Sequence, residues 1–244
     1  MMERTTYYQE YFEKRKPSAF GERIHLFWNS RMLDIGILYI PSIENKRILE
    51  VGPGFGYLAQ ICRKRNFLYT AVEMNESLAE NLRIQGFDIT ISAIPPFPAG
   101  DPVQIIWMSN VLEHASTFIE ARQMLIEAYK RLDPLGYIVI ISPDLHSWKT
   151  EFFDVDWSHG YPTTLKRIEQ LLQETGFEVI CSKYHTATFI NSPLVFLLSL
   201  LFKLVPYKFL DLFVKKFTGR NFFYSFMVLF GWRQIYIIGL KPSK

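Results

Sequence analysis

Two acids and three glycines carry the strongest chemical signal in this chain. Glu50 ends one apolar run, Glu73 ends the next, and Gly52, Gly54 and Gly56 follow the first acid at alternate positions. Glycine permits backbone with φ > 0 and, lacking a Cβ, lets a ligand press against the main chain. A carboxylate just before such a turn suits a cationic group such as an ammonium. A second acid about 20 residues on stands where ribose hydroxyls are held in open α/β sheets. A dinucleotide fingerprint would carry its third glycine one place later, where this chain has Tyr57. The pattern therefore asks for a nucleoside that carries an amino acid rather than a pyrophosphate. S-adenosylmethionine (SAM) has that composition.

The elements that must position these residues can be read outward from them. Arg47 to Val51 is a short apolar strand, and a helix from Gly56 to Arg65 points its N-terminal N–H groups into the turn. A strand over Leu68 to Val72 and a helix over Glu76 to Gln85 follow. Gly86 stops that helix. Asp88 to Ile91 is the third strand. The loop SAIPPFPAGDP carries four prolines and cannot be helical. Val103 to Met108 is the fourth strand. Thr117-Phe118-Ile119-Glu120 is a capping box that opens a helix reaching Leu132. Tyr137 to Ile141 is the fifth strand, and 144 to 164 is a long loop. A helix over Leu165 to Glu174 and strands over Phe177 to Ser182 and Arg233 to Leu240 complete the series. Strands alternating with helices predict a parallel, doubly wound sheet. Before it, residues 6 to 40 read as one or two helices, with Ile24, Phe27, Leu33 and Ile37 at helical spacing.

The stretch RILEVGPGFGYLA (47–59) resembles motif I of the class I, Rossmann-like SAM-dependent methyltransferases. VLEHASTFIEARQMLIEAYKRLDPLGYIVIISPD (111–144) is similar to that family's run from the fourth to the fifth strand. Leu112-Glu113-His114 and Asp133-Pro134-Leu135-Gly136 are its marks. The resemblance covers about residues 45 to 182 and is nearest to the small-molecule and glycan-pathway branch. It implies a seven-stranded sheet whose last two strands form an antiparallel edge hairpin. It also implies SAM as methyl donor and S-adenosylhomocysteine as product. Glu50 would then hold the methionine ammonium, directly or through water. Gly52, Gly54 and Gly56 would admit the amino-acid moiety, Glu73 would bind both ribose hydroxyls, and Met74 would pack on adenine. Asn110 would stand near the methionine end. Two positions depart from the family: Ser92 stands where an acid contacts the adenine amino group, and Gln104 stands where an Asp precedes the fourth strand. Ser92 can still donate or accept a hydrogen bond. An N-terminal segment covering the cofactor is common in the family. Tyr8 and Tyr11 offer aromatic faces to a sulfonium.

If the acceptor is a hydroxyl, its proton must leave, and histidine suits that task. His159 lies in the 144–164 loop, where substrate sits in this fold, beside Asp154 and Asp156, either of which could orient its ring. His114 lies in the Leu-Glu-His turn, where a structural role competes. His146 is a third candidate, while His25 and His185 read as packing or surface residues. No His/Cys cluster or paired-carboxylate ligand set stands out, so no metal is expected. Cys62 and Cys181 read as buried free thiols of a reducing cytoplasm.

Residues 184–232 interrupt the edge hairpin. From Lys183 on there are nine basic residues against the single acid Asp211. The first 182 residues carry eighteen basic residues against twenty-three acids. The basic segment is also the most apolar one, which points to a membrane surface rather than nucleic acid. The charge-free run Thr186 to Phe202 is shorter than the roughly 20 residues of a spanning helix. Interfacial helices within 192–230 are one reading; a cap over the active site or a homodimer interface are the others. The organisation expected is an N-terminal helical lid (1–44), a SAM-binding domain (45–183 and 233–244) and the insert (184–232). The leading expectation is O-methylation of an amphiphilic or lipid-linked acceptor such as a polyprenyl-linked glycan, in the cytoplasm or at the inner face of its membrane. A quinone or other lipid, a soluble small molecule, or a non-catalytic SAM-binding scaffold are the alternatives.

Overall fold

The computed structural model describes residues 17–185, 204, 206–218, 222–227 and 231–243. The helix read at Tyr8 and Tyr11, the run Thr186–Phe202, Lys203 and Arg220 lie outside those residues. The strands are β1 (Arg47–Val51), β2 (Leu68–Glu73), β3 (Ile89–Ile91), β4 (Val103–Ser109), β5 (Leu132–Pro143), β6 (Glu178–His185) and β7 (Gln234–Leu240). They form one sheet in the order β3-β2-β1-β4-β5-β7-β6. Pairings from β3 to β5 are parallel, and β7 runs antiparallel between β5 and β6. The expected Rossmann-like methyltransferase sheet and its antiparallel edge hairpin are both present.

Position in the sheet explains the sequence of each strand. β4 is central and covered on both faces, so Ile105, Ile106, Trp107 and Met108 run apolar without alternation. The helices α1 (Ala19–Tyr39) and α2 (Tyr57–Lys64) cover one face. There Met32, Leu33, Ile48, Trp107 and Tyr236 share a core. α3 (Glu76–Ile84) flanks β2 and β3, and α4 (Phe118–Arg131) and α7 (Leu165–Glu174) cover the other face. The Tyr236 hydroxyl donates to the Met32 carbonyl at 3.0 Å, tying the last strand to the first described helix.

Three expectations change. Phe27 and Ile37 face solvent; α1 turns Ile24 and Leu33 inward as expected, with Met32 and Gly36 in place of the other two. The inward stripe is set by Trp107 and Tyr236 beneath Gly36 rather than by helical spacing alone. β5 already pairs at Leu132, and its register shifts across the Asp133-Pro134-Leu135-Gly136 turn. The loop after β5 contains two one-turn helices, α5 (Leu145–Trp148) and α6 (Glu151–Asp154). Gln104 sits at the opposite end of β4 from the ligand turn. Its amide accepts from Arg47 N–H at 3.0 Å and donates to Asp133, so it staples two strands to a turn.

The described part of the insert is a helix pair, α8 (Tyr207–Thr218) and α9 (Phe222–Phe226). The buried Asp211 carboxylate accepts from Phe223 N–H at 2.8 Å and Tyr224 N–H at 2.7 Å, satisfying donors at the start of α9. Tyr207, Tyr224 and Met227 pack on Trp148, Phe152 and Trp232. Lys208 pairs with Glu151. The other side of α8 leaves Phe209, Leu212, Phe213 and Phe217 exposed. Among the described residues no helix is long and apolar enough to cross a membrane.

Candidate functional site

The glycine turn lies between the carboxyl ends of β1 and β2. Gly52, Gly54 and Gly56 all have positive φ, but their surroundings differ. A Cβ at Gly56 would stand 2.3 Å from Leu82, so this glycine lets the turn pack on α3. A Cβ at Gly52 would stand 3.1 Å from Val111, at the exit of β4. At Gly54 nothing lies within 4 Å. That open side is the cradle a ligand can enter.

Glu73 faces the same opening. One carboxylate oxygen accepts from Gly54 N–H at 3.1 Å, the other from Asn75 N–H at 2.9 Å. A carboxylate offers about four acceptor sites, so these donors leave capacity for a ribose hydroxyl. Burial raises the Glu73 pKa, while N–H donors at Asn75, Gly54 and Met74 oppose the rise. Glu50 is also buried and accepts from the Tyr69 hydroxyl at 2.5 Å. Burial pushes its carboxyl up to about 8, against the Tyr69 bond and with help from the Glu73 charge. A ligand ammonium would supply a counter-charge to such a group. Met74 is half-buried just beyond Glu73. Ser92 N–H donates to the Glu73 carbonyl at 3.1 Å, and its hydroxyl donates to Ala93 O at 3.0 Å. Asn110 is exposed, with φ 53° and its N–H on Ile141 O at 2.8 Å. His25 of α1 stacks on Tyr57 with ring centroids 4.9 Å apart, closing one flank of the turn.

A second cluster forms at the ends of β4 and β5. The His114 and His159 rings meet edge to face at 4.8 Å between centroids. Their approach depends on Gly160, where a Cβ would stand 2.6 Å from the Ala115 carbonyl. Tyr161 N–H donates to the Glu113 carbonyl at 3.1 Å across the same contact. His159 Nδ1 lies 2.5 Å from the Phe152 carbonyl, which accepts only from an N–H. Nε2 is therefore its basic nitrogen. Burial lowers the pKa of His159, against the Phe152 bond and the Asp156 charge, which raise it. His114 Nδ1 lies 2.8 Å from Ser158 Oγ. The Ser158 hydroxyl donates to Asp156 at 2.5 Å. This leaves Ser158 to accept from His114, and directs Nε2 of His114 away from Ser158. Burial opposes ionisation of Asp156, but bonds from Ser158 and the fields of both imidazoles hold its pKa below the usual value.

The orienting partner of His159 is thus the Phe152 carbonyl, neither Asp154 nor Asp156. Asp154 is exposed, and Asp156 reaches His114 through Ser158. His146 is exposed on α5, outside the cluster. Four contributors had no role assigned from the sequence: Tyr69, Ser158, the Phe152 carbonyl and Glu113. Tyr69 could have been found from strand register, since it pairs with Ile48 on the face that Glu50 shares. Glu113 lay within a recognised motif, but its environment comes from elsewhere. It is fully buried, and burial pushes its carboxyl up to about 8. Ser142 Oγ donates to one of its oxygens at 3.0 Å, and the other has no hydrogen-bond partner among the described residues.

Comparisons with known proteins agree with this fold. The sequence model of a family described as "Methyltransferase domain" matches residues 15–182. A SAM-dependent methyltransferase from Archaeoglobus fulgidus shares the fold, with a TM-score of 0.62 at 20% identity over 96% of this chain and 100% of that one. A Haloferax volcanii methyltransferase in complex with the Trm112 activator has a TM-score of 0.63 at 13% identity, over 88% of this chain and 90% of that one. The Haemonchus contortus phosphoethanolamine N-methyltransferase 2, solved with SAM, has a TM-score of 0.61 at 14% identity. That match covers 96% of this chain and 60% of that one. A search among curated proteins gave no match.

Proposed function

The chain belongs to the methyltransferase-domain family, as a class I SAM-dependent methyltransferase, and we propose that it methylates a hydroxyl group on an amphiphilic acceptor. A lipid-linked glycan fits best. The observation that carries this reading is the meeting of His114 and His159, each tied at Nδ1, at the same edge of the sheet as the glycine turn.

SAM supplies an electrophilic methyl carbon, whose bonding pair stays with sulfur as S-adenosylhomocysteine departs. The chain's residues do the rest. Glu73 receives the ribose hydroxyls beside the N–H donors of Gly54 and Asn75 that hold its carboxylate. Glu50 faces the ammonium, Gly54 gives the amino-acid moiety room, Met74 and Ser92 border the adenine, and Asn110 borders the methionine end. Gly52 and Gly56 hold the turn in shape. Nε2 of His159, with His114 against its ring, takes the proton from the acceptor hydroxyl as that oxygen forms the new bond to carbon. Such assistance contributes typically 10²–10⁴-fold.

The amphiphilic acceptor is supported by the insert. α8 docks through Tyr207 and Lys208 on α5 and α6, the segment whose Phe152 carbonyl orients His159. It turns Phe209, Leu212, Phe213 and Phe217 outward, with Lys215 and Lys216 beside them. Apolar residues would enter the acyl boundary while the lysines meet anionic headgroups. The insert then acts as cap and membrane contact at once, α1 covers the turn, and the sheet between them holds SAM. The test is turnover of SAM to S-adenosylhomocysteine with polyprenyl-linked glycans, matched soluble glycans and amine acceptors. Turnover of the lipid-linked hydroxyl substrates at least tenfold above the soluble ones supports the proposal. Turnover of amines alone would overturn it.

A further inference from the structure

The Glu113–His114–His159 cluster reaches beyond a proton acceptor. One carboxylate oxygen of Glu113 and one nitrogen of each histidine all lie within 4.8 Å of one another. Two histidines and a carboxylate are the protein ligands of catalytic zinc sites and of open facial iron sites. Donors about 2.0–2.2 Å from a tetrahedral ion stand roughly 3.3 Å apart. The cluster has to contract by at most about 1.5 Å, which side-chain torsions can supply.

Two further observations point to a ligand. Glu113 is fully buried, and among the described residues one of its oxygens has no hydrogen-bond partner. A buried polar atom left unpartnered costs free energy, and the full charge of a carboxylate costs more. A cation bound there removes both costs. The outer contacts are also those of a metal site. His159 Nδ1–H is held by the Phe152 carbonyl, His114 Nδ1–H by Ser158 backed by Asp156, and the second Glu113 oxygen by Ser142. Such partners fix tautomer and orientation, leaving Nε2 of each ring as the donor.

We propose that Glu113, His114 and His159 bind one divalent transition-metal ion, of the zinc or ferrous class, which keeps a coordination position open for the acceptor's hydroxyl. The site stands by itself; its use in catalysis rests on the hydroxyl-acceptor reading above. The acceptor oxygen coordinates the ion, its O–H proton passes to solvent, and the resulting alkoxide or phenolate attacks the methyl carbon. The carbon–sulfur pair goes to sulfur, and no redox change is needed. The histidines then act on the acceptor through the ion rather than by taking the proton themselves.

The full-length chain, stripped by chelation and dialysed, is titrated with Co²⁺ and separately with Zn²⁺. Binding is followed by calorimetry and, for Co²⁺, by visible absorption. S-adenosylhomocysteine affinity serves as the fold check. One equivalent should bind to the wild-type chain. Affinity should fall at least tenfold in Glu113→Gln and in His159→Ala, and stay unchanged in the surface control His146→Ala. Absence of saturable one-equivalent binding by the wild-type chain overturns the site, whatever the variants do. Equal binding in variants that still bind S-adenosylhomocysteine also overturns it. Metal binding without methyl transfer to any hydroxyl acceptor keeps the site and sinks the hydroxyl reading. Methyl transfer undiminished in the chelated chain keeps that reading and sinks the metal.

Discussion

At the ends of β1 and β2, buried carboxylates meet partners that lie close in sequence. Gly54 and Tyr69 are each 19 residues from the acid they bind. At the ends of β4 and β5 the partners come from farther away and from separate segments. Ser158 reaches His114 across 44 residues, and Ser142 reaches Glu113 across 29. The first site is largely backbone: glycine conformations, N–H donors and one strand–turn–helix unit. The second is side chains and carbonyls brought together by a loop that Gly160 allows to lie against Ala115. A backbone site survives most substitutions outside its motif. A side-chain site depends on every segment that supports it, including the α8 helix docked beyond Phe152.

If the two regions are separable, each perturbation should move one readout and leave the other. The largest separation is expected from His159→Ala, which should lower kcat by about 10²–10⁴-fold while SAM affinity by calorimetry stays within twofold. A matching loss of SAM binding would merge the regions. Glu73→Ala comes next. Losing charge-assisted bonds to the ribose should weaken SAM by roughly 10²-fold and leave metal binding at the histidine cluster intact. Gly56→Ala tests the turn as structure. The positive φ of 74° and the 2.3 Å approach to Leu82 together should cost about 2–4 kcal/mol, lowering Tm by roughly 5–10 °C.

A pH comparison separates the regions more finely. The Glu50 carboxyl is pushed from 4.5 up to about 8 by burial, so the folded chain holds its proton more tightly than the unfolded one. Its favourable contribution is complete below pH 4.5 and is lost as pH rises toward 8. Glu50→Gln keeps a neutral group throughout. The stability of the variant relative to wild type should therefore climb across that window by a few kcal/mol in the ligand-free chain, and less with SAM present. A flat difference would mean that Glu50 stays ionised without its ligand. The smallest effect is expected on the insert. Phe213→Asp should reduce co-flotation with anionic liposomes several-fold, leaving Tm within about 2 °C, because Phe213 is 56% exposed.

Which parts of this could be read from the sequence follows from the same contrast. The strand, the acid before the turn, the three glycines and the second acid all fall between residues 47 and 73. The backbone needs of that turn can be met only by a narrow set of residue types. The alternation of strands and helices likewise announced the sheet, because parallel pairing demands crossovers and buried apolar strands. Phe27 and Ile37 were misplaced because helical spacing gives a period but not the phase at which a helix meets its sheet. His114 and His159 were found singly, by residue type and by their loops. Their meeting, and the buried Glu113 carboxylate close to both, could not be read along the chain. Three of the supports of the cluster, a carbonyl at Phe152, a hydroxyl at Ser158 and a close approach at Gly160, carry no distinctive residue pattern. The sequence by itself determined the fold and the cofactor turn, since both are written in local periodicity and backbone permission. Only the tertiary structure decided that two histidines and a buried acid form one site. Such a site exists through contacts between distant segments, and those are set by how the loop and the insert pack rather than by any spacing.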